Sequence, residues 1–250
     1  HPNATNYDET ADVDDGSCCI ELWGECYNIE QTTELDLSNS GLTGEIPSEI
    51  GNLTNLNALN LKVNQFSGEI PPEIGSLENL NILILSSNEL TGEIPAEVWN
   101  LENLTRLSLD FNELTGEIPA EVGNWANLTV LNLRGNQFTG YIPPELGQLI
   151  NLTMLNLNSN QFVGEIPPEI FNLVNLYQLL LDDNQLSGEI PPEIGNLEDI
   201  SFIYLQDNQL TGQIPIEICN IGDDTPIIYN NSLCPPYPEC IEEYVGYQDT

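Results

Sequence analysis

Carboxylates are the only side chains abundant enough to do chemistry in this chain. It contains 40 Asp and Glu residues among 250, against three basic residues, Lys62, Arg106 and Arg134, for a formal net charge of -37. The one histidine is His1, so no imidazole elsewhere in the chain can activate a serine or cysteine nucleophile. The glutamates recur so evenly that no pair is singled out as acid and base. We therefore predict that the protein is not an enzyme.

An acidic segment near the start could bind calcium. Asp12, Asp14 and Asp15 precede Gly16, and calcium prefers carboxylate oxygens, but this glycine falls one place too early for an EF-hand loop. The alternative is a solvated acidic turn. Zinc is not expected, because the six cysteines include no paired C-x-x-C spacing. We expect either no cofactor or calcium.

A repeat of 24 residues positions these side chains. In each repeat apolar residues alternate with polar ones, as in Leu59-Asn60-Leu61, which predicts a short strand. Proline then fixes φ and removes a donor, which favours an extended or 3₁₀ return. One unit cannot bury its leucines alone, so the units must stack into a solenoid with one strand per turn and a continuous parallel sheet. The phrase Gly-x-Ile-Pro that marks the repeat begins at Gly44, Gly68, Gly92, Gly116, Gly140, Gly164, Gly188 and Gly212.

Two columns of asparagine should satisfy the backbone as the chain turns. The first follows each strand and the second lies on the return arc, where a side-chain amide can pair with open backbone groups. Ser40 takes the first position in the opening repeat. The first column is Asn64, Asn88, Asn112, Asn136, Asn160, Asn184 and Asn208, and the second is Asn55, Asn79, Asn103, Asn127, Asn151 and Asn175, ending in Asp199.

The repeat L-x-x-L-x-L-x-x-N-x-L-x-G-x-I-P resembles that of the plant-type leucine-rich repeat family, in register over residues 34–222. The resemblance implies an α/β solenoid with a parallel sheet on its concave face and 3₁₀ or extended segments on its convex side. It also implies that the concave face binds ligands, as in the ectodomains of plant receptor-like kinases and in polygalacturonase-inhibiting proteins. We accordingly expect an acidic segment with a disulfide N-cap (1–33), eight repeats (34–222) and a disulfide C-cap (223–250).

The first cysteines resemble the N-terminal cap of that family. The segment Cys18-Cys19-Ile-Glu-Leu-Trp-Gly-Glu-Cys26 is similar to the family pattern C-C-x-W-x-G-x-x-C, which implies a disulfide between Cys19 and Cys26. Residues 2–18 resemble a short acidic module, ending in D-D-G-S-C, of large microbial surface proteins. This second resemblance favours a microbial protein over a plant receptor.

The last cysteines resemble the family's C-terminal cap. Asn231-Ser-Leu-Cys234-Pro-Pro-Tyr-Pro-Glu-Cys240 is similar to N-x-L-C-x-P-x-x-x-C, which implies a disulfide between Cys234 and Cys240. Cys18 and Cys219 are then left over, and six cysteines allow 15 pairings. Cysteines confined to the two ends indicate an oxidising compartment. We therefore expect a secreted or cell-surface protein.

The negative charge limits the partners. It excludes nucleic acid and disfavours an anionic membrane surface, and it favours a monomer. No apolar run approaches the roughly 18 residues of a membrane span, so no membrane insertion is expected. Glutamates stacked about 4.8 Å apart repel by roughly 0.8 kcal/mol before screening, which suggests a dependence on salt or calcium; the alternative is that they only keep the protein soluble. The two columns are Glu49, Glu73, Glu97, Glu121, Glu145, Glu169, Glu193 and Glu217, and Glu45, Glu69, Glu93, Glu117, Glu165 and Glu189.

Candidate binding residues are those that point out of the strands, between and beside the buried leucines. These columns are apolar for a solvent-facing surface, and contiguous exposed apolar surface usually marks a contact site. Strand propensity alone is the alternative explanation, and Arg134 could simply neutralise Asp110 one strand away. The candidates are Ile82, Ile84, Arg106, Asp110, Val130, Arg134, Met154, Leu180, Asp182, Phe202 and Tyr204.

Three functions follow from these patterns. We predict an extracellular recognition module whose concave face binds an unknown protein, peptide or glycan. The alternative is a structural or adhesive part of a larger surface protein, in which calcium bridges the acidic columns. Ice binding is a third possibility, suggested by a column of hydroxyls that Val163 interrupts. That column is Thr43, Ser67, Thr91, Thr115, Thr139, Ser187 and Thr211.

Overall fold

Each repeat forms one coil of a solenoid, as the sequence predicts. The computed structural model describes residues 19–222 and 226–248. Within these residues the regular structure consists of β-strands and 3₁₀ turns, with no α-helix. The same residues contain no helix of the length and apolar character needed to cross a bilayer. The apolar residues of successive coils join in one buried core that extends from Ile20 to Val245.

A hairpin covers the first coil. Strands β1 (Cys19–Leu22) and β2 (Glu25–Asn28) pair in antiparallel fashion. The predicted disulfide between Cys19 and Cys26 links them and is confirmed. The Trp23 ring packs against Phe66, with ring centroids 5.3 Å apart. This hairpin therefore supplies the cap that a solenoid needs at its open end.

The alternating leucines build one eight-stranded parallel sheet. Leu59 and Leu83 are fully buried, whereas Ala58 and Ile82, one residue earlier, remain partly exposed. The coils pair in register, so Leu59 lies beside Leu83 and Ala58 beside Ile82. The strands of this sheet are β3 (Glu34–Asp36), β5 (Ala58–Asn60), β7 (Ile82–Ile84), β9 (Arg106–Ser108), β11 (Val130–Asn132), β12 (Met154–Asn156), β14 (Gln178–Leu180) and β16 (Phe202–Tyr204).

A second set of parallel strands follows the first asparagine column, so the expectation of one strand per turn is wrong. The glycine of Gly-x-Ile-Pro has positive φ, for example 78° at Gly188, where a Cβ would lie 2.6 Å from Glu165 Cγ. The backbone on both sides of this glycine is extended and pairs with the next coil. These strands are β4 (Thr43–Gly44), β6 (Gln65–Glu69), β8 (Glu89–Glu93) and β10 (Glu113–Thr115) in one sheet, and β13 (Val163–Gly164), β15 (Gln185–Glu189), β17 (Gln209–Gln213) and β18 (Ser232–Cys234) in another.

The register of these second strands is offset by two residues from the repeat. Glu69 lies beside Thr91, and Glu93 lies beside Thr115. The expected spacing of one strand between Glu69 and Glu93 is therefore wrong, because the offset inserts a hydroxyl residue beside each of these glutamates. The repulsion estimated for this column from the strand spacing is accordingly too large.

Short 3₁₀ turns return the chain from one strand to the next, as the proline positions predict. Successive turns pack closely, because a Cβ on Gly75 would lie 2.7 Å from the backbone oxygen of Glu97. The turns are Ser48–Asn52, Pro72–Ser76, Val98–Asn100, Ala120–Asn124, Pro144–Gln148, Pro168–Asn172, Pro192–Asn196 and Ile216–Asn220.

Both asparagine columns satisfy backbone groups, as predicted. Asn136 is buried, and its Nδ2 donates to the backbone oxygens of Leu109 and Leu133 at 3.0 Å each. Its Oδ1 accepts a hydrogen bond from the backbone N of Leu114 at 3.0 Å. In the first repeat, the backbone N of Ser40 donates to Asn64 Oδ1 at 3.1 Å. In the second column, side-chain amides donate to backbone oxygens of the preceding coil at Asn55, Asn79, Asn103, Asn151 and Asn175.

The C-terminal disulfide joins Cys219 to Cys240, so the predicted Cys234–Cys240 pairing is wrong. Cys219 lies at the end of the last 3₁₀ turn, and its Cα is 5.8 Å from that of Cys240, within the range that a disulfide spans. Cys234, at the end of β18, is an exposed free thiol. The family-based pairing failed because the closing segment folds back onto the last coil. Cys18 lies outside the described residues.

Candidate ligand-binding face

The outward side of the eight-stranded sheet carries three columns of side chains. We call this surface the concave face, and it comprises the residues that alternate with the buried leucines. The first column runs Ala58, Ile82, Arg106, Val130, Met154, Gln178 and Phe202. The second runs Asn60, Ile84, Ser108, Asn132, Asn156, Leu180 and Tyr204. The third, two residues further along each coil, runs Lys62, Ser86, Asp110, Arg134, Asn158, Asp182 and Gln206.

All the candidate binding residues from the sequence lie in these columns, but their exposure differs. Asp182 is buried at 8% exposure, which the sequence reasoning did not anticipate. The exposed candidates are Arg106, Arg134 and Phe202, and the partly exposed ones are Ile82, Ile84, Asp110, Val130, Met154, Leu180 and Tyr204.

All three basic residues of the protein lie on the concave face. Lys62, Arg106 and Arg134 are exposed and belong to the coils of β5, β9 and β11. Arg106 Nε donates to Ser108 Oγ at 3.0 Å, and the Arg134 guanidinium lies 4.9 Å from the centroid of the Phe111 ring. Such stacking orients a guanidinium while its N–H groups stay available. The basic residues therefore lie within the first five coils of this eight-stranded sheet, and the coils of β12, β14 and β16 carry none.

Asp110 is held by neutral donors. Ser86 Oγ donates to Asp110 Oδ1 at 2.6 Å, and Asn132 Nδ2 donates to the same oxygen at 2.9 Å. Arg134 forms no ion pair with Asp110, so the suggestion that it neutralises this carboxylate is wrong. Instead, the guanidinium lies over the ring of Phe111, the residue after Asp110.

An aromatic cluster occupies the C-terminal half of the face. The Tyr177 and Phe202 rings meet edge to face with centroids 5.6 Å apart, and Phe202 and Tyr204 meet the same way at 6.3 Å. Tyr177 is 53% exposed and Phe202 37%. Because each ring is fixed by its neighbour while one surface stays open, the cluster can pack against an apolar group at little entropic cost.

Asp182 lies in the third column, one coil beyond Asn158. Asn158 Nδ2 donates to Asp182 Oδ2 at 3.0 Å, while the other carboxyl oxygen, Oδ1, is buried without a hydrogen-bond partner. Burial raises the pKa of Asp182 above its usual 3.8, although the hydrogen bond from Asn158 and the charge of Arg134 act in the opposite direction. A buried carboxyl with an unpaired oxygen is unusual and costly to stability.

Three other buried side-chain oxygens near Asp182 also lack partners. They are Asn158 Oδ1, Gln178 Oε1 and Gln206 Oε1. In the described part of the chain, the remaining buried side-chain polar atoms without partners are the Nε1 atoms of Trp23 and Trp125. The unpaired oxygens thus concentrate in the coils of β12, β14 and β16.

Two features of the face were missed at the sequence level. Tyr177 precedes β14 and Phe111 follows β9, so both lie one residue outside the columns considered. The sequence could have predicted both, because the 24-residue period also identifies the positions just before the first column and just after the third. The burial of Asp182 carries no such signal.

The described residues of the outer surface form acidic grooves. One groove is lined by Glu93, Glu117 and Glu121 beside Trp99. Between residues 19 and 222 and between 226 and 248, no group of three or more His, Cys, Asp or Glu side chains could hold a metal ion. The candidate calcium ligands Asp12, Asp14 and Asp15 lie outside the described residues.

Family comparisons agree with the coil architecture. Residues 18–162 match the family described as leucine-rich repeat region, and residues 175–197 and 199–221 match leucine rich repeat. No curated protein is significantly similar to the chain.

Solved structures include several plant proteins similar to this chain. The plant peptide hormone receptor RGFR1, in complex with RGF2, is 43% identical with a TM-score of 0.76 over 77% of this chain and 31% of that one. The ectodomain of the Arabidopsis receptor kinase HAESA, in complex with an extended IDA peptide hormone, is 34% identical with a TM-score of 0.80 over 86% and 36%. A plant ice-binding protein is 28% identical with a TM-score of 0.71 over 87% and 73%.

The matches to the receptor structures cover most of this chain but only part of the receptor chains. The chain spans about a third of each receptor structure, at 31% and 36% of their lengths. The match to the family covers more than half of the 250 residues. The chain belongs to the leucine-rich repeat family.

Proposed function

We propose that the protein is an extracellular recognition module that binds a peptide, or an extended segment of a protein, across the concave face. The observation that carries this proposal is the placement of Lys62, Arg106 and Arg134. A chain with a net charge of -37 has three basic residues, and all of them lie on this one surface.

Stability alone does not require that placement. The exposed glutamates are spread over the outer surface, where a cation would relieve more repulsion than on a face rich in Ile, Ser and Asn. A ligand with both charged and apolar groups does explain it, since the same face carries Ile84, Leu180 and Tyr204 in one column. Extended ligands suit such a surface because each coil presents an equivalent row of side chains.

The similar structures support the same reading. The RGFR1 and HAESA structures contain peptide hormones as ligands. The Cys19–Cys26 and Cys219–Cys240 disulfides favour an oxidising, extracellular location, secreted or at the cell surface. The surface residues of this chain determine which peptide it binds, because partner choice is set by the site and not by the fold.

Selection from a displayed peptide library tests the proposal. The wild-type chain is used as bait, and the recovered peptides are titrated against a double variant, Ile84→Asp with Tyr204→Asp, which places charge on the concave face. A matched control carries Glu73→Gln with Glu193→Gln on the exposed 3₁₀ turns. We expect the double variant to lose binding by at least about tenfold, because apolar anchors dominate such contacts, and the control to bind normally. Peptides that bind both variants as well as wild type would refute the proposal.

Ice binding is the second candidate, favoured by the similarity to the plant ice-binding protein. The hydroxyl column is exposed or partly exposed at Thr91, Thr115 and Thr211. However, the offset register sets Thr91 between Glu69 and Glu113, so carboxylates interrupt the row. Measurement of thermal hysteresis and ice recrystallisation decides this candidate: inhibition of ice growth at micromolar protein would establish it, and growth equal to that with serum albumin would exclude it.

A further inference from the structure

We infer that the C-terminal half of the concave face holds a subsite for a cationic side chain, lysine or arginine, of the bound peptide, with Asp182 as its counter-charge and the Tyr177–Phe202–Tyr204 cluster receiving the apolar residue beside it. This inference rests on the proposed function and names the ligand chemistry of one part of the face. Three independent features of the described residues support it.

The first feature is an excess of hydrogen-bond acceptors. Asn158, Asp182 and Gln206 follow one another in the third column, about 4.8 Å apart from coil to coil, and each is more than nine-tenths buried. Each has a buried oxygen without a partner, and Gln178 in the first column has another. In the orientations that the structure gives these amides, no donor reaches these four oxygens. An ammonium group brings three donors and a guanidinium five, with no acceptor.

The second feature is an excess of negative charge. Asp183 is exposed beside Asp182, and Asp207 follows one coil later with an Oδ1 that accepts a hydrogen bond from Asn230 Nδ2 at 2.7 Å. The nearest basic side chain in the third column is Arg134, two coils away and stacked on Phe111. The field over the aromatic cluster and Asp182 is accordingly negative, which complements a cation.

The third feature is the contrast with Asp110. Asp110 occupies the same column in the N-terminal half, and its Oδ1 accepts hydrogen bonds from both Ser86 and Asn132. At Asp182 the residue equivalent to Ser86 is Asn158, which donates to Oδ2, but the residue equivalent to Asn132 is Tyr204, and Oδ1 has no donor. An asparagine at 182 could keep the bond with Asn158 and avoid a buried charge, so stability alone favours asparagine there. A carboxylate held at a cost to stability is expected where it contacts a ligand.

Aromatic rings complete the subsite. Tyr204 lies in the second column beside the third-column residues, and its ring joins the exposed rings of Phe202 and Tyr177. Aromatic faces attract cations as well as apolar groups. A peptide that places a basic residue at Asp182 can therefore place its neighbour on the rings without leaving the face.

The test uses peptides recovered from the displayed library with the wild-type chain. Each peptide is resynthesised with arginine replaced by citrulline, or lysine by acetyl-lysine, which removes the charge and keeps the shape. Binding is measured by fluorescence anisotropy for wild type, Asp182→Asn and Asp183→Asn. The two variants lose the same charge from adjacent positions, one buried and one exposed.

We expect neutralising the basic residue to weaken binding to wild type by about tenfold or more. The same change should alter binding to Asp182→Asn by less than about threefold. A difference of this kind between the two proteins is the coupling that a direct contact produces. Asp183→Asn removes one charge from the surrounding field but leaves the contact with Asp182, so it should keep a loss of about tenfold when the basic residue is neutralised. Equal losses in wild type and Asp182→Asn, or recovered peptides without basic residues, would overturn the subsite while leaving the recognition function intact. If the Gln206 side-chain amide rotates and donates to Asp182 Oδ1, the carboxylate needs no ligand cation. Neutralising the basic residue would then weaken binding equally in wild type and in Asp182→Asn. Failure of the recognition function itself has a different signature, namely peptides that are indifferent to Ile84→Asp with Tyr204→Asp.

Discussion

Replacing Asp182 by asparagine should make the protein more stable at neutral pH. The carboxyl is 8% exposed, accepts one hydrogen bond from Asn158 and leaves Oδ1 unpaired. Asparagine keeps an acceptor for Asn158, removes the buried charge and supplies an Nδ2 donor within the same column as Gln206 Oε1. An unpaired buried polar group costs about 1 to 3 kcal/mol, so we expect a gain of about 1 kcal/mol in the free energy of unfolding.

The gain should depend on pH with a defined sign. Burial raises the pKa of Asp182 above 3.8 in the folded protein. The folded state therefore holds this proton more tightly than the unfolded state, and ionisation becomes a growing penalty as the pH rises through the folded pKa. The difference between Asp182→Asn and wild type should be largest near about pH 8 and shrink toward about pH 4.5, just above the isoelectric point of 4.1.

Urea denaturation followed by circular dichroism measures this difference, with Asp183→Asn as the control. Because both variants reduce the net negative charge by one, their comparison removes the general relief of repulsion. Asp183 is exposed, so its variant should change stability by less than about 0.5 kcal/mol at every pH. An Asp182→Asn protein less stable than wild type at about pH 8 would refute the reasoning, because the carboxylate would then be well satisfied in solution.

Three further predictions follow from the same structure. Asn136→Ala should lower the free energy of unfolding by about 3 kcal/mol, because three buried backbone groups lose their hydrogen-bond partner. Asn124→Ala, on an exposed 3₁₀ turn, should change the free energy of unfolding by less than about 0.5 kcal/mol. Urea titration of both variants measures the difference. The thermal midpoint should rise with NaCl because exposed glutamates repel one another, and a midpoint that is flat in both NaCl and CaCl₂ would remove electrostatic repulsion as a factor. Peptide mapping without reduction should find Cys219 linked to Cys240 and Cys234 alkylated by iodoacetamide, and a Cys234–Cys240 peptide would contradict this pairing.

The solenoid could be predicted from the sequence because every coil has the same 24-residue pattern. The alternation around Leu59 sets the strand, and the asparagine at 64 and its equivalents set the turn, so each repeat restates the same local rule. The second set of strands and its offset register could not be predicted in this way. They depend on the left-handed backbone at residues such as Gly188, which allows the extended segments of adjacent coils to pair with an offset of two residues.

The membership of the concave face was also predictable, because strand alternation decides which side chains point outward. The properties of individual residues there were not. Asp182 and Asp110 occupy the same column, yet one is buried with an unpaired oxygen and the other accepts two hydrogen bonds. That difference arises from their neighbours in adjacent coils, which for Asp110 lie 24 and 22 residues away in the chain. The closing disulfide failed for a similar reason, since Cys219 reaches Cys240 only through the folding of the last segment.

A crystal structure of the protein with a recovered peptide bound tests the central claim most directly. We predict a peptide lying across strands β7 to β16, in contact with Ile84, Leu180 and Tyr204, and with its basic residue at Asp182. A peptide bound along the glutamates of the outer surface, or at either cap, would contradict the assignment of recognition to the concave face.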